Sequence, residues 1–407
     1  MPARDKFTDE DIKKFVAEIE KEDQARAASI EAGKLAAREA RRNKKLREIE
    51  ESVRENFLYG DRKTAEQELA ARLAEDKRAE AEQAKISVPN IHKHGMPSKI
   101  AGIDKSLLNS KYGYQLDFTK TAQGAYWKMT DARKREADNT WIPVSCTIMD
   151  MKTMPEKKRD NYKKQGFKIV RFLEQNHHPQ IVRYFDQFLL DTEYYSFHEK
   201  LEYNLEGILS RGPAMNIIRA KKWGYDLIGA IHFLHSHGIA HRYISPKTIW
   251  LTKDFTVKLG NFGHSCIFWD HTRNQRLLVD AAKSSDPFQP KEDSSDGLID
   301  PVKEDIYCWA STIAYLLTKE TAPHSSIGKF IDEKLEALNV DGRGLFAACL
   351  DADPTIRPYA SAVRNHVWFR NFSIVKVVEP MPAVPEVQQE TVAEQAAPTE
   401  PEPPQQQ

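Results

Sequence analysis

Three kinds of hydrophobic patterning follow one another along the chain. From residue 1 to about 90 apolar positions are sparse: Ile12, Phe15, Val16, Ile19 and Ile30 form a thin stripe, resumed by Leu46, Ile49 and Val53. Spacing of three and four predicts helix, and Thr8 followed by Asp11 supplies a start, the hydroxyl capping an amide and the acid favouring the positive helix end. Tyr59-Gly60-Asp61 interrupts it, and a second helix is predicted from about Thr64 to Lys85. A stripe this thin buries no core alone. The block therefore reads as a short coiled coil, a helix on a partner, or a charged solvated helix, with Asp23, Arg26 and Gly33 breaking the heptads.

The pattern changes from residue 112 to 372. Val144–Met151 reads as a buried strand, and 182–190 with 194–197 as a hairpin pair. Ile217–His235 and Asp305–Thr318 then carry helical periodicity. Strands first and helices afterwards predict an α+β fold with a small β-rich lobe and a larger helical lobe. Residues 91–111 are left as a linker. The last stretch, 373–407, holds seven of the chain's 21 prolines, with glutamate and glutamine and, from residue 379, no Lys or Arg. It reads as a disordered acidic tether.

Composition narrows the function. Sixty Lys and Arg balance sixty Asp and Glu, so no global field points to nucleic acid or membrane. The cluster Arg38, Arg41, Arg42, Lys44, Lys45 and Arg47 is flanked closely by glutamates and reads as a solvated helix face. The four cysteines are scattered, with no C-x-x-C pair, which argues against zinc and against a disulfide framework. The charged start MPARDKFTDE is no secretory signal, and no run reaches the roughly 18 apolar residues of a membrane span. A cytoplasmic protein is expected.

Short motifs then carry chemistry. His241-Arg242-Tyr243-Ile244-Ser245-Pro246-Lys247-Thr248-Ile249 resembles the catalytic loop H-R-D-L-K-P-E-N-I of eukaryotic protein kinases, and Asn261-Phe262-Gly263 stands at the distance of that family's D-F-G. His178-Pro179-Gln180-Ile181-Val182 resembles H-P-N-I-V, Leu234-His235 with Ile239 resembles L-H-x-x-x-I, Asp305-Ile306-Tyr307-Cys308 the start of the central helix, and Asp353-Pro354 with Arg357-Pro358 the closing D-P-x-x-R-P. Six motifs in order at family spacing make the resemblance specific across 112–372. The wording around 181–188 and 257–263 is nearest to the kinases of translation initiation factor 2 alpha and to the mitotic NEK group.

The resemblance also marks departures. The strand lysine falls on Thr147 and its helix glutamate on Ile169. The metal aspartate falls on Asn261, the second metal ligand on Thr248, the aspartate that orients the substrate hydroxyl on Tyr243, and the following lysine on Ser245. The glycine-rich loop keeps only Gly124, so side chains at Thr119 and Thr121 hinder a phosphate. Around the nucleotide pocket stand Ser145, Tyr126 above and Trp250 below, two rings expected to fill the cavity. A relocated lysine, Lys120 or Lys128, leaves the metal and base positions unfilled.

Positions that the family uses for architecture survive: Leu173, Tyr184, His241 and Phe262 as an apolar column between lobes, Asp305 as a buried acceptor for loop amides, and Arg357 with an acidic partner near Lys291 or Glu292. Ser284, Ser285, Ser294 and Ser295 lie in a long flexible loop. His235, His237 and His241 suggest a metal only until the kinase motifs account for two of them. The expectation is therefore a pseudokinase, not an enzyme, that scaffolds or allosterically regulates a protein partner, an active kinase among the candidates. No metal, no catalytic residue and no cofactor are expected, apart from ATP held without magnesium. Alternatives are a nucleotide-binding or weakly active atypical Ser/Thr kinase, and a helical structural protein acting through residues 1–90. The oligomeric state is left open.

Overall fold

The computed structural model describes residues 88–95, 97–100, 106–281, 286–292 and 297–370. The charged block before residue 88, the serines at 284, 285, 294 and 295, and the tail after residue 370 lie outside the described residues.

The upper lobe is one sheet of six strands: β1 (Ser98–Ile100), β2 (Tyr114–Gln123), β3 (Trp127–Arg135), β4 (Trp141–Asp150), β5 (Tyr184–Leu190) and β6 (Glu193–Glu199). Their order is β1-β5-β6-β4-β3-β2, with β1 parallel to β5 and the other pairs antiparallel. Along β4 the residues Val144, Ser145, Cys146, Ile148 and Met149 are all buried, because the strand is central and covered on both faces. The helix α1 (Ser106–Ser110) seats Leu108 against this core. Residues 91–111, expected as a linker, thus supply a strand, a helix and two buried side chains, Ile91 and Leu108.

One long helix, α2, crosses the sheet in three pieces: Glu156–Asn161, a π turn at Tyr162–Gly166, and Phe167–Gln175. The last piece buries Phe167, Ile169, Val170, Phe172 and Leu173. That apolar stripe, not the capping, holds the helix in place: its N-cap residue is Pro155, which makes no side-chain cap hydrogen bond.

The lower lobe is helical. After β7 (Tyr203–Asn204) come α3 (Leu205–Arg211) and α4 (Ile217–Ser236). Next are the short strands β8 (Ile239–Ala240), β9 (Ile249–Leu251), β10 (Val257–Leu259) and β11 (Cys266–Ile267), and then α5 (Pro301–Thr318). Asn204 and Asn216 cap α3 and α4 through their side-chain oxygens, and Asp300 caps α5 ahead of Pro301, each satisfying an amide that a helix start leaves free. The helix α5 begins at Pro301 rather than at Asp305, since this cap and proline set the start. It is buried nearly throughout, with Trp309 donating to the Gly224 carbonyl of α4 at 3.0 Å.

Arg357 is 1% exposed and pairs with Glu292 at 2.5 Å, also donating to the carbonyls of Asp351 and Lys303. The partner left open between positions 291 and 292 is Glu292. Replacing Arg357 with alanine takes the guanidinium away from a buried carboxylate and from two buried carbonyls, and we expect it to lower unfolding stability by about 3–5 kcal/mol. Glu292→Gln should cost less, and chemical denaturation of the two variants checks the order.

Candidate active site

The carboxylate of Asp305, fully buried, organises the loop below the cleft. Its Oδ2 accepts from the His241 amide at 2.8 Å and from His235 Nε2 at 2.9 Å, and its Oδ1 accepts from the Arg242 amide at 2.6 Å. Arg242 sits at φ 64, a left-handed backbone unusual for a non-glycine residue. Its guanidinium donates to Glu304 at 3.0 Å and to the Asp280 carbonyl at 2.6 Å. His241 holds the Gly260 carbonyl at 2.9 Å, and His237 the Phe233 carbonyl at 2.7 Å. All three histidines of the H-x-H-x₃-H spacing therefore have protein partners.

The column between lobes assembles. Phe262 stands edge-on to both Tyr184 (6.1 Å) and His241 (5.1 Å), and Leu173 is buried in the same cluster. Asn261, exposed, adopts the left-handed backbone at φ 64, ψ 70, which asparagine tolerates well.

The other five altered positions are placed as follows. Thr147 on β4 bonds to His198 Nε2 at 2.9 Å. His198 is buried, and its Nδ1 donates to the Glu199 carbonyl at 3.1 Å, so Nε2 is left to accept. Burial lowers the pKa of His198 to about 4. Ile169 is fully buried in the hydrophobic core. Thr248 is sealed into the loop, its one hydroxyl proton shared between the Tyr243 and Ser245 carbonyls and its oxygen accepting from the Ser245 amide. Ser245 is buried beside it. Tyr243 donates to Asp286 at 2.6 Å and stacks on His264 at 4.7 Å; burial and that carboxylate raise its pKa.

Around the nucleotide pocket, Ser145 accepts weakly from the Leu201 amide at 3.4 Å. A Cβ at Gly124 would run into the Trp127 indole ring, so glycine is favoured there. Tyr126 packs in an upper cluster with Met154 and Tyr162, whereas Trp250 lies on the lower core. Lys128 leans over Phe118 at 5.5 Å.

What the motifs missed is a second set of polar groups in the cleft. Lys158 of α2 reaches Tyr126 Oη at 2.5 Å and His264 Nε2 at 3.2 Å. Burial and this ammonium lower the pKa of His264 to about 3. Asn161 donates to the carbonyls of Gly263 and Ser265 at 3.0 and 3.2 Å, and Gln165 accepts from the Ile267 amide at 2.6 Å. Tyr162 lies so close to Gly263 that a Cβ there would meet its oxygen at 2.5 Å. Below, Asp286 lies 3.6 Å from Lys247. Lys247 was within the quoted loop motif; the others occupy positions that no spacing rule marks.

A model of the protein kinase domain matches residues 144–369, more than half of the chain. The chain belongs to the protein kinase family. Among the relatives it is similar to, Mitogen-activated protein kinase 15 of Caenorhabditis elegans is 27% identical over 38% of this chain and 32% of its own length. Mitogen-activated protein kinase kinase kinase 4 of Mus musculus is 28% identical over 49% of this chain and 13% of its own. Serine/threonine-protein kinase ppk8 of Schizosaccharomyces pombe is 24% identical, with 47% and 40% covered. The chain spans less than half the length of each. These kinases do not single out the initiation-factor or NEK groups.

Family membership and relatives named as kinases overturn the expectation that the chain is not an enzyme. The physical error lies in equating a missing family residue with a missing charge. Lys158, Lys247 and Asp286 bring two ammonium groups and a carboxylate into the cleft from other positions. For the family's divalent cation the fit is poor: Asn261 brings no charge where the family places a metal-holding aspartate, and Thr248 is sealed into its own loop. Among the described residues no helix is long and apolar enough to cross a membrane.

The buried histidines give a pH test. A His whose pKa falls on folding is stabilising above its unfolded value near 6.5, and that contribution is lost as pH drops toward the folded value. For His198 the window runs from about 6.5 to 4. His198→Phe should flatten the fall in melting temperature across that window relative to the parent, read by thermal scans from pH 4.5 to 7.5.

Proposed function

We propose that this kinase-family domain is a regulatory scaffold that binds a protein partner, with an active kinase as the first candidate, and controls it allosterically. The supporting observation is the interlock of α2 with residues 261–267. Asn161, Gln165, Tyr162 and Lys158 all engage that segment, so helix and segment form one unit whose position a partner can read. Groups held this way cost no ordering entropy when a partner binds. ATP held without magnesium is the nucleotide state that suits Lys158.

A second reading, weak Ser/Thr phosphorylation by an atypical set of groups, is favoured by Asp286. It is a carboxylate with a 5% exposed side chain, placed beside Tyr243 and Lys247, where an acceptor hydroxyl would need orienting.

The full chain added to an active kinase partner should change that partner's kcat/KM, and Asn161→Asp, which removes the amide donor, should cut the effect about tenfold, the loss of one or two buried hydrogen bonds. An Asn161→Asp protein that acts as well as the parent counts against the scaffold reading. In parallel, γ-phosphate transfer to a Ser/Thr peptide that disappears in Asp286→Asn would establish the second reading; transfer unchanged in that variant removes it.

A further inference from the structure

Residues 88–95 run outside the cleft, behind α2, and touch both lobes at once. Ile91 is fully buried and belongs to the core that contains Phe172 and Leu173 of α2. His94 stands edge-on to Phe172 at 5.5 Å. On the lower side, Val88 rests on Gly238, where a Cβ would approach it to 2.7 Å, and the Pro89 carbonyl accepts from His271 Nε2 at 3.1 Å. Gly238 has φ +75, so its backbone and its missing side chain both favour glycine. Beyond this segment, β1 extends the sheet by pairing with β5 in parallel.

We propose that residues 88–95 form a strap that fixes α2 against the lower lobe and couples displacement of the strap to the cleft. This names the regulation of the scaffold and rests on that reading. The route is physical at each step. The strap meets the C-terminal half of α2 where His94 stands edge-on to Phe172 and Ile91 joins the same core. The same helix holds residues 263–267 through Asn161 and Gln165. A partner that displaces the strap removes a buried isoleucine from the core shared with Phe172. The helix then loses its backing, and the bonds to Gly263, Ser265 and Ile267 loosen. The two ends are distinct, and the helix is the element that both bias.

Hydrogen exchange on the full chain tests this. Ile91→Ala removes buried carbon, and His271→Ala removes only the hydrogen bond to Pro89. Leu338→Ala, a truncation at a buried lower-lobe position (4% exposed), is the control for general destabilisation. Ile91→Ala should speed exchange of amides in 156–175 and 263–267 by about tenfold or more, His271→Ala by about two- to fivefold, and α4 should stay near the parent in both. Exchange that rises evenly over both lobes, as in Leu338→Ala, or that stays at the parent level in α2, overturns the strap. The readout needs no partner, so its failure is separable from failure of the scaffold reading, which only the partner assay addresses.

Discussion

The cleft depends on one buried carboxylate. Asp305 accepts three hydrogen bonds, two from consecutive loop amides and one from a helix histidine, in a place where water does not reach. Without it the amides of His241 and Arg242 would be unsatisfied inside the core, and Arg242 would have no reason to hold a left-handed backbone. That conformation in turn aims the Arg242 guanidinium at Glu304 and leaves its carbonyl to accept from Gln289 at 2.8 Å. The segment carrying Asp286 is thereby pinned under Tyr243. A single acid sets the position of the loop, of the strand before it and of the segment that closes the cleft from below.

Burial sets the electrostatics of the interior. Glu304 is pushed up to about 7 by desolvation, despite its bond to Arg242, and Glu174 on α2 reaches about 7 for the same reason, with Arg171 at 2.6 Å. Both raised acids contribute stability that is complete below the ordinary carboxylate range and lost as pH climbs toward 7. The lowered histidines act in the opposite sense. The fold is therefore squeezed between two families of buried groups.

Much of this architecture was legible in the chain. The two-lobed order of strands and helices follows from the change of period near residue 200, and Asp305, Arg357 and the Leu173–Phe262 column announce themselves by motif. The cleft contacts were less legible for a specific reason. Lys158, Asn161 and Gln165 lie on a helix whose π turn changes which side chains face inward, and a regular period does not encode that shift. His198 carries no signal at all, because its role appears only when β6 pairs with β4 and sets it beside Thr147. Residues 91–111 read as a linker in the sequence, yet Ile91 and Leu108 are each buried in a core cluster.

The π turn has a geometric consequence of its own. One extra residue in the winding turns everything ahead of it by about 100°, since a regular helix advances that much per residue. Deleting a single amino acid between Tyr162 and Gly166 would leave the Phe167–Gln175 stripe seated on the core while swinging the basic first turns to another compass bearing. The reach of Lys158 and Asn161 toward residues 263–265 thus depends on the residue count of one five-residue turn, as a key depends on the cut of one tooth.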